Sequence, residues 1–133
     1  PYDLIVLDAF GTDSIPYALA TREFLDRVKA ALTPRGLVVG NVWGRSDNRL
    51  YDAMVRTYLS AFEGVAIVDV PGSGNKLVMA CDCKPMPTRP QVVERARSIG
   101  RTLELRHDLA ELAANYREPG DDGASAQVLR DKN

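Results

Sequence analysis

Apolar residues along the chain alternate between short continuous runs and helically spaced stripes, and the order of these patterns predicts a layered α/β fold. Tyr2 to Leu7 reads YDLIVL, a short, mostly apolar run that ends on Asp8. Such a run suits a parallel strand covered on both faces. The turn formers Gly11, Asp13, Ser14 and Pro16 predict a long loop leaving that strand's carboxyl end. From about Ala18 to Leu32, the residues Phe24, Leu25, Val28 and Leu32 recur at helical spacing. Arg22–Asp26 and Glu23–Arg27 form i,i+4 pairs on the outer face. Thr33-Pro34-Arg35-Gly36 ends this helix, and Leu37 to Trp43 reads as a second strand. Asp47 or Asn48 is placed to cap a second helix, whose face is Tyr51, Met54, Val55, Tyr58, Leu59 and Phe62. Gly64 stops it, Val65 to Val70 is a third strand and Lys76 to Asp82 a fourth. Only the five residues Pro71 to Asn75 join the last two, too few for a helical crossover, which predicts an antiparallel hairpin. The expected spatial order is one, two, four, three, with helices on both faces of the sheet.

Beyond the rigid stretch Lys84-Pro85-Met86-Pro87-Thr88-Arg89-Pro90 the pattern turns helical. Val92, Val93, Ala96, Ile99 and Leu103 make one stripe, and Leu109, Leu112, Ala113 and Tyr116 another. From Glu118 the composition is polar (EPGDDGASAQ), with Val128 and Leu129 as the residues able to dock. The expected organisation is one unit over residues 1–117 and a polar, flexible tail over 118–133.

A length of 133 residues, 45% of them hydrophobic, suits a single domain that buries about two-thirds of its unfolded surface. Seventeen basic against eighteen acidic residues leave a net charge of −1, which removes the electrostatic case for a nucleic-acid or anionic-membrane partner. No apolar run approaches the roughly 20 residues of a membrane helix, and no signal-peptide pattern opens the chain. Two cysteines are too few for a disulfide scaffold, so free thiols in a reducing cytoplasm are expected. Cys81-x-Cys83 would hold a metal only if further ligands converged, and the sole histidine, His107, lies a predicted helix away; no metal site is expected. His107, beside Asp108, reads as a residue at a helix start. Gly72-Ser73-Gly74 joins antiparallel strands and precedes no helix, which makes it a hairpin turn and not a phosphate loop.

Candidate chemistry gathers at the end of the first strand. Open α/β sheets bind ligands beyond the carboxyl ends of their strands, where Asp8 stands, followed by Asp13 and Ser14 in the long loop. A carboxylate there can take a proton or hold a cationic group; equally, it can serve only to bind loop amides.

The stretch YDLIVLDAFGTDSIPYALATREFLDRVKAALTPRGLVVGNVWG resembles the polyamine aminopropyltransferase (spermidine synthase) family, and more specifically its bacterial spermidine-synthase-like branch. Leu19-Ala20-Thr21-Arg22-Glu23-Phe24 is its most specific element, and the likeness continues through VDVPGSGNKLVMA and, more faintly, AQVLRD. The resemblance implies an α/β architecture: the C-terminal part of a Rossmann-like, S-adenosylmethionine-dependent methyltransferase-type fold, with a mixed sheet and an antiparallel edge hairpin. This chain would hold its last four strands and read as a fragment. The other half would carry the glycine-rich loop and acidic ribose-binding residue, so the chain alone is expected to bind no cofactor tightly.

The implied reaction moves an aminopropyl group from decarboxylated S-adenosylmethionine, the co-substrate, to a small-molecule amine such as putrescine. Asp8 matches the family's catalytic aspartate, with Asp13, Ser14 and Trp43 as accessory pocket residues; Trp43 would line an adenine or methylthio pocket or else pack in the core. The chain departs from the family pattern at Gly11, where relatives place a second carboxylate, at Pro71, where they place an acceptor-site tyrosine, and at Ala18, where this branch often has histidine. The alternatives are a non-catalytic binding or assembly module of the same fold, or an S-adenosylmethionine-dependent methyltransferase. The first strand would be left as a bare apolar edge, which predicts a homo-oligomer joined at residues 2 to 8 or on the uncovered sheet face.

Overall fold

The computed structural model describes residues 1–9 and 15–132. Strand β1 (Tyr2–Leu7) leads through a 3-10 turn at Tyr17–Leu19 into helix α1 (Arg22–Ala31), and β2 (Leu32–Trp43) follows at once. The buried Thr21 caps α1, its hydroxyl accepting the Phe24 N–H at 3.2 Å and donating to Asp131 at 2.6 Å. Arg22 pairs with Asp26 as its spacing predicts, whereas Glu23 faces Arg130 at 3.6 Å. β2 begins at Leu32 and not at Leu37, because Thr33 to Gly36 are absorbed as an irregularity in the pairing with β1 between Tyr2 and Leu4. A bulge tolerates the proline's missing N–H, so the breaker bends the strand without delaying it.

Helix α2 (Tyr51–Ala61) starts after Leu50, which makes no side-chain cap. Asn48 serves the turn before it, its Oδ1 accepting the Leu50 N–H at 3.0 Å. β3 (Gly64–Asp69) and β4 (Asn75–Cys81) form the antiparallel hairpin, turned through Gly72 and Gly74 at φ 79° and 76°. Then come α3 (Arg89–Thr102), opened by a Thr88–Gln91 capping box, the short α4 (Leu109–Ala113) and the two-residue β5 (Tyr116–Arg117). Asp108 caps α4 by accepting the Ala110 and Glu111 N–H groups.

The sheet order is β1-β2-β4-β3-β5, with β1 and β2 parallel and every other pair antiparallel. The predicted order of four strands is observed. β5 extends the antiparallel side, and Tyr116, read as part of a helical stripe, belongs to it.

Registers assign each side chain to a face. Ile5, Leu7, Val38, Val42, Ile67 and Val78 share one face and enter the core with Leu25 and Val28 of α1 and Val55 and Tyr58 of α2. Ala66, Cys81 and Tyr116 lie on the other face and are buried together with Ala96 of α3. α3 is tied to that flank by its Arg89 side chain, which donates to the Tyr116 carbonyl, while the Tyr116 hydroxyl donates to the Pro87 carbonyl. The β1 end of this second face is open, with Tyr2 63%, Leu4 55% and Val6 59% exposed.

Residues 118–132 lie against α1 and α2. The Leu129 N–H donates to the fully buried Thr57 hydroxyl, its carbonyl accepts the Arg22 N–H, and Gly123 packs against α2. Leu129 docks, as its apolar character suggests.

Cys81 and Cys83 are joined in a disulfide, where free thiols were expected. Two positions apart at a strand end, they lie on the same side, and their Cα atoms are 5.2 Å apart, inside bridging range. Among the described residues, no helix is long and apolar enough to cross a membrane.

Candidate functional site

Asp8 follows β1 directly and is exposed at the carboxyl end of the parallel pair. Leu7 pairs with Gly40, so Asp8 falls opposite Asn41, and the Asn41 Nδ2 donates to Asp8 Oδ1 at 3.1 Å. Asn41 is itself oriented from the other side. Asn75, at the start of β4, donates through Nδ2 to Asn41 Oδ1 at 3.0 Å. An amide whose oxygen is occupied by a donor must turn its NH2 away from that donor, here toward the carboxylate. Three strands thus contribute to one chain of hydrogen bonds that ends on a single negative charge.

Trp43 pairs with Asn75 across the β2–β4 ladder, two positions beyond Asn41, and is half-buried on the same face. Its carbonyl accepts Asn48 Nδ2 at 3.2 Å, which anchors the segment leading to α2. The structure therefore brings Asp8 and Trp43 to one end of the open sheet face, with Asn41 opposite Asp8 on β2 and Asn75 across from Trp43 on β4. Asp13 and Ser14 lie outside the described residues.

Behind Asp8, on the helix-covered face, lies an apolar cavity of about 30 Å³ lined by Leu7, Ala9, Ile15, Phe24, Met54 and Tyr58 among others. Tyr58 is 4% exposed, and burial pushes its hydroxyl pKa upward. Gly40 makes room for it, since a Cβ at that position would overlap the Tyr58 hydroxyl.

A network of charges occupies the same end of the sheet on the helix-covered face. Asp69 accepts from Arg117 at 2.7 and 3.2 Å and from Lys76 at 2.7 Å. Hydrogen bonds from Arg117, then Lys76, hold Asp69 below the ordinary carboxylate range against the opposing effect of burial. Burial pushes Asp122 up, but the hydrogen bonds from Tyr51 at 2.6 Å and Arg117 at 2.9 Å outweigh it, and its pKa is lowered. The Tyr51 hydroxyl is raised, by burial first and by Asp122 second. Arg45 bridges Asp52 and Asp122 and lowers Asp52. Every charge here has a partner, so the network fastens β5 and the tail to α2 and presents no free reactive group.

Asn41, Asn75 and this network were not anticipated as functional or positioning residues. Asn41 left a signal, being the one polar side chain in the strand run LVVGNVW. Asn75 leaves none, since its sequence context marks only the end of the hairpin turn. Among the described residues there is no cluster of three or more His, Cys, Asp or Glu able to hold a metal ion.

No protein-family model matches the chain. A polyamine aminopropyltransferase of Vibrio vulnificus is 34% identical to it over 104 residues, which are 77% of this chain and 34% of that relative. Among solved structures, a probable spermidine synthase from Corynebacterium glutamicum superposes with a TM-score of 0.74 at 26% identity, covering 98% of this chain and 48% of that one. Human methyltransferase-like protein 13, solved in complex with SAH, superposes with a TM-score of 0.66 at 26% identity, covering 80% of this chain and 50% of that one. The chain spans about a third of the length of the curated relatives it matches.

Proposed function

Because the chain belongs to the polyamine aminopropyltransferase (spermidine synthase) family, we propose that the whole protein transfers an aminopropyl group from decarboxylated S-adenosylmethionine to a small amine such as putrescine. In this reading residues 1–117 are the carboxyl-terminal half of a Rossmann-like domain, residues 118–133 are an appended tail, and the protein works in the cytoplasm as a homo-oligomer. The observation that carries the proposal is Asp8, exposed at the carboxyl end of β1 and aimed by the Asn75–Asn41 amide chain.

The chemistry asks for such a group. An alkyl ammonium has no lone pair, so one proton must leave nitrogen before it can attack. Asp8 accepts that proton, or holds the amine close by charge while a neighbouring group does so. The nitrogen lone pair then forms a bond to the carbon beside the sulfonium, the C–S bond breaks, and its electron pair returns to sulfur to give neutral methylthioadenosine. Attraction between carboxylate and amine also raises the local concentration of a cationic acceptor. Trp43 offers a flat apolar surface at the same end of the sheet face as Asp8 for the adenosyl or methylthio part, with Asp13 and Ser14 as accessory pocket residues. Gly11, Pro71 and Ala18 remove groups that relatives use, so the acceptor is an amine whose recognition rests on Asp8 and Asp13.

The test is product analysis on the full-length protein with decarboxylated S-adenosylmethionine and a panel of amines. Methylthioadenosine and an aminopropylated amine should form in equal amounts. The likeness to the human methyltransferase-like protein supports a second reading, methyl transfer. A methylated product made from S-adenosylmethionine, without release of methylthioadenosine, would establish that reading instead.

A further inference from the structure

We propose that Cys81, Cys83 and Met86, once the cysteine pair is reduced, form a three-sulfur binding site for a soft monovalent metal ion, copper(I). Cys81 ends β4 and Cys83 follows two positions on, so both sulfurs lie on one side. The turn after them carries Met86 back, placing its Sδ 3.3 Å from the Cys81 Sγ and 3.4 Å from the Cys83 Sγ. One thioether thus touches both cysteine sulfurs.

Room for it comes from Gly64, the β3 partner of Cys81. A Cβ on Gly64 would overlap the Cys83 carbonyl oxygen and stand 2.7 Å from Met86 Cγ and 2.8 Å from its Sδ. Cys81 is buried, and Cys83 and Met86 are half-buried, so the site is sheltered yet open on one side. The nearby Asp82 carboxylate is already engaged, by Lys29 at 3.1 Å and by the Glu63 N–H.

The donor set selects the ion. Zinc in a structural site takes four nitrogen, sulfur or oxygen ligands, and no such cluster exists among the described residues. Thiolate and thioether sulfurs together favour copper(I), which accepts two or three of them. In a reducing compartment the pair is two thiols. A dithiol supplies the two electrons and two protons that open the disulfide; a phosphine supplies the electrons, becoming its oxide, while water supplies the oxygen and the protons. Binding then releases the thiol protons as copper–sulfur bonds form, with no change in the oxidation state of the metal.

The experiment titrates the phosphine-reduced chain, without oxygen, with copper(I) supplied as its acetonitrile complex against the chelator bicinchoninate. One copper per chain should bind, with thiolate-to-copper absorption in the ultraviolet and three sulfur neighbours in the copper X-ray absorption spectrum. Met86→Leu should weaken binding by about tenfold and leave two sulfurs, and Cys83→Ser should weaken it by about a hundredfold. Gly64→Ala keeps all three sulfurs but displaces both the Cys83 backbone and Met86, and should weaken binding at least as much as Met86→Leu. Absence of stoichiometric binding, or a wild-type spectrum with only two sulfurs, would overturn the proposal. The spectroscopic count needs no variant to fold.

Discussion

Asp8 presents its charge at the open end of β1, and among the described residues the Asn41 amide is the donor that fixes its direction. In the full-length protein, Asp8→Asn should lower turnover by roughly a hundredfold or more, the scale of losing a general base. Asn41→Ala keeps the carboxylate but frees it to rotate. Its turnover should fall by about tenfold, the equivalent of one hydrogen bond worth ~1.4 kcal/mol. Steady-state kinetics on both variants checks this, and wild-type rates in Asp8→Asn would return Asp8 to the role of binding loop amides. At Gly40 the constraint is steric. Gly40→Ala drives a methyl group into the Tyr58 hydroxyl, and overpacking of this kind costs about 1–3 kcal/mol. Tyr58→Phe removes the oxygen, so thermal melts of the double variant should recover part of the loss; strict additivity would show that the two side chains do not meet. Asp8 was legible because it terminates an apolar run at a strand end. Asn41 was not, since its partner stands 33 residues away and only the β1–β2 register brings them together.

Among the described residues, strand β1 pairs with β2 alone and presents its other edge with Tyr2, Leu4 and Val6 exposed along one face. Unpaired amides and carbonyls beside apolar side chains favour addition of another strand. Light scattering on this chain should give a mass above the 14.6 kDa of one copy, and Leu4→Lys should shift it toward that value. A wild-type monomer at tens of micromolar would rule the edge out as an interface. The core elements followed from alternation, helical spacing and turn residues, all of which act within a few positions. Those that differed were decided at longer range. β2 starts early because pairing with β1 absorbs Pro34 in a bulge, and β5 is two residues that pattern with a helix until β3 pairs with them.

Across the whole molecule, stability should depend on acid through the carboxylates that fasten the tail. Asp52, Asp69 and Asp122 all have pKa values lowered from the ordinary 3.8. A carboxylate depressed in the folded state contributes stability that is fully present above its unfolded pKa and is lost as pH falls toward the folded value. Urea midpoints should therefore hold steady near neutrality and fall below about pH 4. Asp69→Asn should flatten that fall, and an unchanged acid limb would detach the network from stability. Calorimetry on the 133-residue chain should detect no tight binding of decarboxylated S-adenosylmethionine, because no described glycine-rich turn joins a parallel strand to a helix. Micromolar binding would mean that the adenosyl site lies within these residues. The sequence by itself determined the β3–β4 hairpin and the place of Asp8. Side-chain periodicity and a five-residue connection leave few alternatives, and a strand's carboxyl end is known once its direction is. Only the tertiary structure decided which amide aims Asp8, how the tail fastens to α2 and that Met86 returns to the cysteine pair. Each of these joins residues from separate elements, and their meeting depends on registers and loop closures that the packing of the entire chain selects.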